Sequence, residues 1–261
     1  MNKTEAMKRL EAAGSAQTRK IYSNHGVQAE MFGVKFGDLG KLRREIGTDQ
    51  KLAEGLWATK NHDARVLATM VADPEAMTVA KLEAWAKTLA DHVITSSLTD
   101  LIRSGPHHEK LAKKWSKSTN EYVGTAGWFL IARLAENEDL GDDFFVPYLE
   151  TIEAKIHKAK NRTRYGMNTA LIGIGCRKGL MKQAIAMAKR IGPVEVDHGN
   201  TSCQTPDAAS YIAKTVKHRK EVAARRAAKK KTAKKTTKKA ARKTARKTSG
   251  RATKKKTTAR R

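Results

Sequence analysis

Residues 80–94 read AKLEAWAKTLADHVI, and the spacing of their apolar side chains decides the fold class. Leu82, Trp85, Leu89 and Val93 recur at intervals of three and four, with Ala86 and His92 on the adjoining face. That period lines one side of an α-helix; a half-buried strand would alternate instead. Outward from this stretch the pattern returns. KLAEGLWATK (51–60) places Leu52, Leu56 and Trp57, and GWFLIARLAEN (127–137), FFVPYLETIEAKIHKA (144–159) and GLMKQAIAMAKRIG (179–192) repeat it. Only Val194-Glu195-Val196 offers a short candidate strand.

The five prolines, Pro74, Pro106, Pro147, Pro193 and Pro206, each fall near an expected helix boundary. Asp73-Pro74-Glu75 and Thr205-Pro206-Asp207 read as helix starts: a capping side chain, proline in the first turn, then an acid favoured by the helix dipole. With helices of ordinary length and short connections, the first ~215 residues hold roughly 12 of them. Successive amphipathic helices on short loops imply stacked antiparallel pairs, an all-α solenoid.

Charge divides the chain in two. Of its formal +27, the segment 219–261 carries +20, with 21 Lys and Arg against the single acid Glu221; residues 1–218 hold only +7. After Tyr211 no Phe, Trp or Tyr occurs, and after Val222 no aliphatic larger than alanine. Such a segment has no apolar area to bury and is expected to stay disordered. The expected organisation is a helical body over 1–217 and a basic tail over 218–261. The tail's lysines and arginines, among them Lys229, Lys230, Lys231, Lys234, Lys235, Lys238, Lys239, Arg242 and Lys243, suit phosphates. As a coil, the 43 residues 219–261 would reach about 35 Å.

No run of 18 apolar residues is present, and MNKTEAMKRLEAAG (1–14) reads as an amphipathic helix, not a secretory signal. Cys176 and Cys203 are too few for a disulfide framework and fit a reducing compartment. The expected location is cytoplasmic and nucleoid-associated, with the chain a monomer.

Three stretches in order carry a resemblance. MFGVKFGDLGKLRREIG (31–47), LWATKNHDARVLATMVAD (56–73) and the C-terminal segment 162–212, from RTRYGMNTALIGIG to DAASYI, resemble the AlkD-like DNA alkylation repair family of HEAT-like repeat glycosylases. The resemblance implies a curved solenoid whose concave basic face holds duplex DNA. It also implies excision of N3- or N7-alkylated purines without metal or organic cofactor. A carboxylate near the developing sugar oxocarbenium and a water would suffice for that chemistry.

The sequence departs from the family at that carboxylate. The family's Trp-x-x-x-Asp element falls on DHVITSSL (91–98), which places His92 at the tryptophan and Ser96 at the catalytic aspartate. The family's basic pair falls on Gly124 and Thr125. A hydroxyl cannot supply the missing negative charge. Asp100, one helical turn past Ser96, is the candidate substitute; Asp91 lies about 140° around the helix.

Tyr122 and Trp128 are candidates for sugar or base contact, whereas Trp57 and Trp85 read as core. In KAKNRTRYG (158–166), Lys158, Lys160, Arg162 and Arg164, with Lys155 before them, form a basic cluster, and Lys155, Lys158 and Arg162 at three- to four-residue spacing would share a face suited to a phosphate row. An ordinary solvated face is the alternative. Arg43 and Arg44 are weaker candidates, and Arg65 pairs with Asp63 or a neighbouring acid. Asp197, His198 and Cys203 in VEVDHGNTSCQTPDA (194–208) are a poor zinc set. A hydrogen-bonded loop fits better, with a Gly199-Asn200 turn, His198 on backbone and Thr205 as a cap. No P-loop or GxGxxG is present, so neither metal nor cofactor is expected.

Three readings stay open: a protein gripping duplex, damaged or branched DNA with excision weak or lost; an active alkylpurine glycosylase working through Asp100; and a protein-interaction scaffold that the tail tethers to the nucleoid.

Overall fold

The computed structural model describes residues 1–226; the tail lysines and arginines from Lys229 onward lie outside the described residues. The described chain is helical, and its only β contact is an isolated bridge between Gly14 and Val34. Among the described residues no helix is long and apolar enough to cross a membrane.

The helices are α1 (Lys3–Ala13), α2 (Ala16–Asn24), α3 (Phe36–Ile46), α4 (Gln50–Trp57), α5 (His62–Val71) and α6 (Val79–Ala86). There follow α7 (His92–Arg103), α8 (His108–Trp115), α9 (Glu121–Leu134), α10 (Val146–Lys155), α11 (Asn161–Gly175) and α12 (Met181–Ile191). A last helix covers 208–226. Side-chain oxygens of Asn2, Ser15, Asp49, Asn61, Thr78, Asp91 and Asn120 accept first-turn backbone N–H groups. Each such cap is worth about 1 kcal/mol, which explains the frequent, short helices.

Residues 1–212 form one compact unit. Within it every second helix makes a layer in which α3 packs on α5, α5 on α7, α7 on α9 and α9 on α11. Behind that layer α4 pairs with α5, α6 with α7, α8 with α9, and α10 and α12 with α11. This is the stacked-pair plan the periodicity implies. Helix α5 packs against α3, α4 and α7 and is buried along nearly its whole length, its polar His62, Asp63 and Arg65 included. Glycines set the closest approaches: a Cβ on Gly127 would stand 2.1 Å from the Ser116 backbone nitrogen, where α9 meets the end of α8.

Several boundaries differ from the sequence reading. The stretch 80–94 is not one helix; α6 ends at Ala86, and Asp91 caps a new helix at His92. Its apolar stripe continues across the break because both helices press on the same core. Asp73-Pro74-Glu75 starts a turn, in which Asp73 accepts from the Glu75 N–H, and α6 is capped by Thr78. At the other end Asp207, not Thr205, caps the helix over 208–226 through the Ser210 N–H. Residues 194–196 are not a strand.

Candidate nucleic-acid interface

The front layer exposes one face of α7 in which His92, Ser96 and Asp100 follow one another by single turns. Rising 1.5 Å per residue, that row is about 12 Å long. Its first turn is buttressed from below. Asp91, buried behind it, accepts the backbone N–H groups of Val93 and Ile94 at 2.8 and 2.9 Å. The ring nitrogen of His62 lies 3.6 Å from the Asp91 carboxylate, beyond hydrogen-bond distance. Burial works to raise the Asp91 carboxyl, but His62, the Ile94 N–H and His92 together hold it below the usual range.

Around His92 four segments converge. The ring of His25, at the end of α2, lies 5.6 Å from that of His92. Tyr165 on α11 meets His198 edge-on at 5.5 Å and Phe129 on α9 at 6.2 Å. The loop after α12 reaches back to the N-terminal segment: a Cβ on Gly199 would stand 2.3 Å from the carbonyl oxygen of Asn24. That loop is pinned by Asn161, which exchanges hydrogen bonds of 2.8 and 2.7 Å with the backbone of Asp197.

Arg162 lies among these rings. It is only 9% exposed, its backbone N–H donates to Glu121 at 2.7 Å, and among the described residues no acceptor holds its guanidinium. Its charge is felt by His92, His198, Tyr122 and Tyr165. Burial, with Arg162 beside it, pushes the His92 imidazole down to about 4, so His92 is neutral at pH 7. Its buried Nδ1 has no partner among the described residues. Burial raises both phenols, Tyr122 and Tyr165, so they remain O–H donors. The centre of the face therefore offers a buried cation, two phenols and a neutral imidazole.

The two other acid-base candidates are accounted for. Ser96 is exposed. The Asp100 carboxylate, 57% exposed, stands between Arg103 and Arg133 at 3.8 and 3.9 Å. Next to it, between α3, α5 and α7, opens a cleft of about 730 Å³ lined in part by Phe36, Arg43, Asp100 and Arg103.

The sequence-based basic cluster does not form one face. Lys155 ends α10, Lys158 lies in the 3-10 turn Ile156–Lys158, and Lys160 precedes α11; all three are exposed, whereas Arg162 is buried. The end of α10, a 3-10 turn and the start of α11 separate residues whose spacing had suggested a row. Arg164 is a clamp: its guanidinium donates to the carbonyls of His157, Ala159 and Glu195 at 2.9–3.2 Å. Trp128 is 1% exposed and packs edge-on against Tyr148, so it lies in the core, while Tyr122 is half-buried at the start of α9. Trp57 and Trp85 are buried and stacked at 4.1 Å. Arg43 and Arg44 are exposed in the last turn of α3. Gly124 and Thr125 are buried where α9 meets α11, which leaves no room for a basic pair.

The polar HDAR motif turns out to hold the fold. Asp63 is fully buried and accepts the backbone N–H groups of Phe32, Gly33 and Val34 at 2.7–2.9 Å. Arg65 does not pair with it; it donates to the carbonyls of Trp57 and Thr88 and lies over the Trp57 ring. In the loop after α12, His198 bonds the Thr205 hydroxyl at 3.0 Å rather than backbone. Among the described residues no three His, Cys, Asp or Glu come together in a way that could hold a metal ion. Sequence reasoning missed His25, Phe129 and Tyr165 and the part His198 plays, because distant segments bring them together; Phe36 was passed over too.

Comparison with known proteins places this geometry. The profile of the family described as "DNA alkylation repair enzyme" matches residues 6–230. Uncharacterized protein Lin0241 of Listeria innocua is 31% identical over 212 residues, covering 78% of this chain and 93% of its own. Uncharacterized protein Lmo0209 of Listeria monocytogenes is 30% identical, with 81% and 96% covered. A solved structure is similar with a TM-score of 0.77 and 29% identity, over 84% of this chain and 95% of that one. It is described as one of "a new family of proteins related to the HEAT-like repeat DNA glycosylases with affinity for branched DNA structures".

Proposed function

The chain belongs to the DNA alkylation repair enzyme family, and from that premise we propose that it is a DNA-binding member in which base excision is weak or lost. One observation carries the reading. Where the family resemblance puts a tryptophan and a carboxylate, α7 carries the half-buried His92 and the exposed Ser96, with the buried cation Arg162 close to His92. An excision site for a cationic alkylpurine needs negative charge at the sugar. Here Arg162 sets positive charge beside His92, which disfavours an oxocarbenium and favours a phosphate. The nearby carboxylates are already engaged: Asp91 caps α7, and Asp100 is shared by two arginines.

The solved relative's affinity for branched DNA supports the same preference here: duplex arms along the front layer, with a strand deformed at its centre. The tail, residues 218–261, adds sequence-independent phosphate contacts and keeps the protein on the nucleoid of a cytoplasmic compartment. The protein acts as a monomer, without metal or cofactor.

The experiment is a pair of assays on the full chain. Mobility shift on a four-way junction and on a linear duplex of equal length should give tighter binding to the junction. Incubation with methylated duplex should release no 7-methylguanine or 3-methyladenine above the Asp100→Asn variant. Release that depends on Asp100 would make the protein an active glycosylase; a chain that ignores both DNAs at low salt would be a scaffold.

A further inference from the structure

The cleft between α3, α5 and α7 has no part in the reading above, yet its walls are chemically specific. One wall is the ring of Phe36, 47% exposed in the first turn of α3. Phe36 is one of few large apolar side chains the described residues leave in water. Met70 and Leu101 add apolar lining, and Arg43, Arg103 and Asp100 line the cleft as well, the Asp100 carboxylate standing between Arg103 and Arg133. At about 730 Å³ the cleft falls in the size range of small-ligand sites. It continues the exposed row of α7, two turns from His92, so a strand lying along that row would pass it about three to four nucleotides further on.

An exposed aromatic beside two cations suits one ligand class. A paired base in a duplex is covered on both faces by its neighbours and gains nothing from Phe36. A base without a partner has a free face, and stacking it on an aromatic is worth about five- to a hundredfold in affinity. The two arginines take the flanking phosphates.

We propose that this cleft takes one unpaired nucleobase of a bound DNA strand, stacked on Phe36 with its flanking phosphates on Arg43 and Arg103. The proposal rests on the DNA-binding reading and supplies a physical source for a preference for branched over linear DNA.

The test uses the full-length protein and a three-way junction carrying 2-aminopurine either at an unpaired branch position or inside a paired arm. Binding should quench the unpaired probe and leave the paired one unchanged. Phe36→Ala should abolish the quench and weaken junction binding about five- to a hundredfold, with linear-duplex affinity unchanged, and Phe36→Trp should restore both. Phe36 is exposed, so circular dichroism melts of the variants should overlay the parent. Tight junction binding without quenching, or junction affinity indifferent to Phe36→Ala, would overturn the stacking site and leave the DNA reading standing. Equal quenching by free 2-aminopurine deoxynucleotide at matched concentration would make the cleft a mononucleotide site and overturn the strand proposal. Failure to bind either DNA would sink the DNA-binding reading and the proposal with it.

Discussion

His25 and His92 face each other with ring centroids 5.6 Å apart and planes tilted by 53°, the first from the end of α2 and the second from the start of α7. The pair ties a connection near the N-terminus to the middle of the front layer. His92 is the more enclosed, and its neighbours decide its charge.

That enclosure makes stability depend on pH in a defined window. Burial, then Arg162, hold the folded His92 near 4, whereas the unfolded imidazole titrates near 6.5. Between those values the unfolded chain binds the extra proton. The stabilising contribution is therefore complete above pH 6.5 and is lost as pH falls toward 4. Burial also lowers His108 and His198, and both act in the same direction. Thermal melts should fall across pH 6.5 to 4.5, and His92→Gln should flatten that fall by an amount on the order of 1–3 kcal/mol. Parallel profiles for parent and variant would refute the assignment.

Asp63 gives the largest stability effect. Its buried carboxylate gathers three consecutive N–H groups of the loop that leads into α3. Asp63→Ala leaves those donors without an acceptor, a cost of about 3–5 kcal/mol. Calorimetry should show a melting point lower by roughly 6 °C or more, at about 2–4 °C per kcal/mol in a domain of this size. Asp63→Asn should lose less, since its carbonyl oxygen still accepts. A change within a degree or two for the alanine variant would contradict the structure.

How far the sequence reveals this site follows from the range of its contacts. Apolar period and capping residues show a stack of helices, because both act within a few residues. The same stripe hides the break at Asp91, since two helices facing one core look continuous in period. In HDAR the acid and the base look like a functional pair, yet Asp63 serves a loop 30 residues away and Arg65 a carbonyl at Thr88. Arg162 and Arg164 stand two apart and look alike, but one points among rings and the other into carbonyls. His25, Tyr165 and His198 meet only through tertiary folding. Phe36 alone left a local trace, an aromatic in the opening turn of a helix whose buried stripe, Leu39 and Leu42, does not include it.

The two arginines of α11 should separate binding from folding. Arg162→Met removes a buried cation that has no acceptor among the described residues, so melting should change by less than about 1 kcal/mol. DNA affinity should fall roughly tenfold or more at moderate salt, the order of one buried charge-assisted phosphate contact. Arg164→Met strips three carbonyls of their donor and should destabilise by about 2–4 kcal/mol. With folded protein, Arg164→Met should leave affinity nearly intact. Swapped phenotypes, with Arg164 controlling affinity and Arg162 controlling melting, would invert the roles drawn from the coordinates.

Salt dependence distinguishes the tail from the helical body. Residues 219–261 hold 21 Lys and Arg and one acid, against a net of +7 for everything before them. On duplex DNA each neutralised phosphate contributes about −0.9 to the slope of log K against log salt. If half of the tail's cations engage, deleting 219–261 should make the slope shallower by about 9. The same deletion should leave the preference for a branch intact, because a contact with phosphate alone carries no information about the bases. Fluorescence anisotropy from 50 to 300 mM salt, on junction and linear duplex, measures both quantities at once. A slope that does not move would mean the tail is not on the DNA; a lost branch preference would move the discriminating contacts from the helices to the tail.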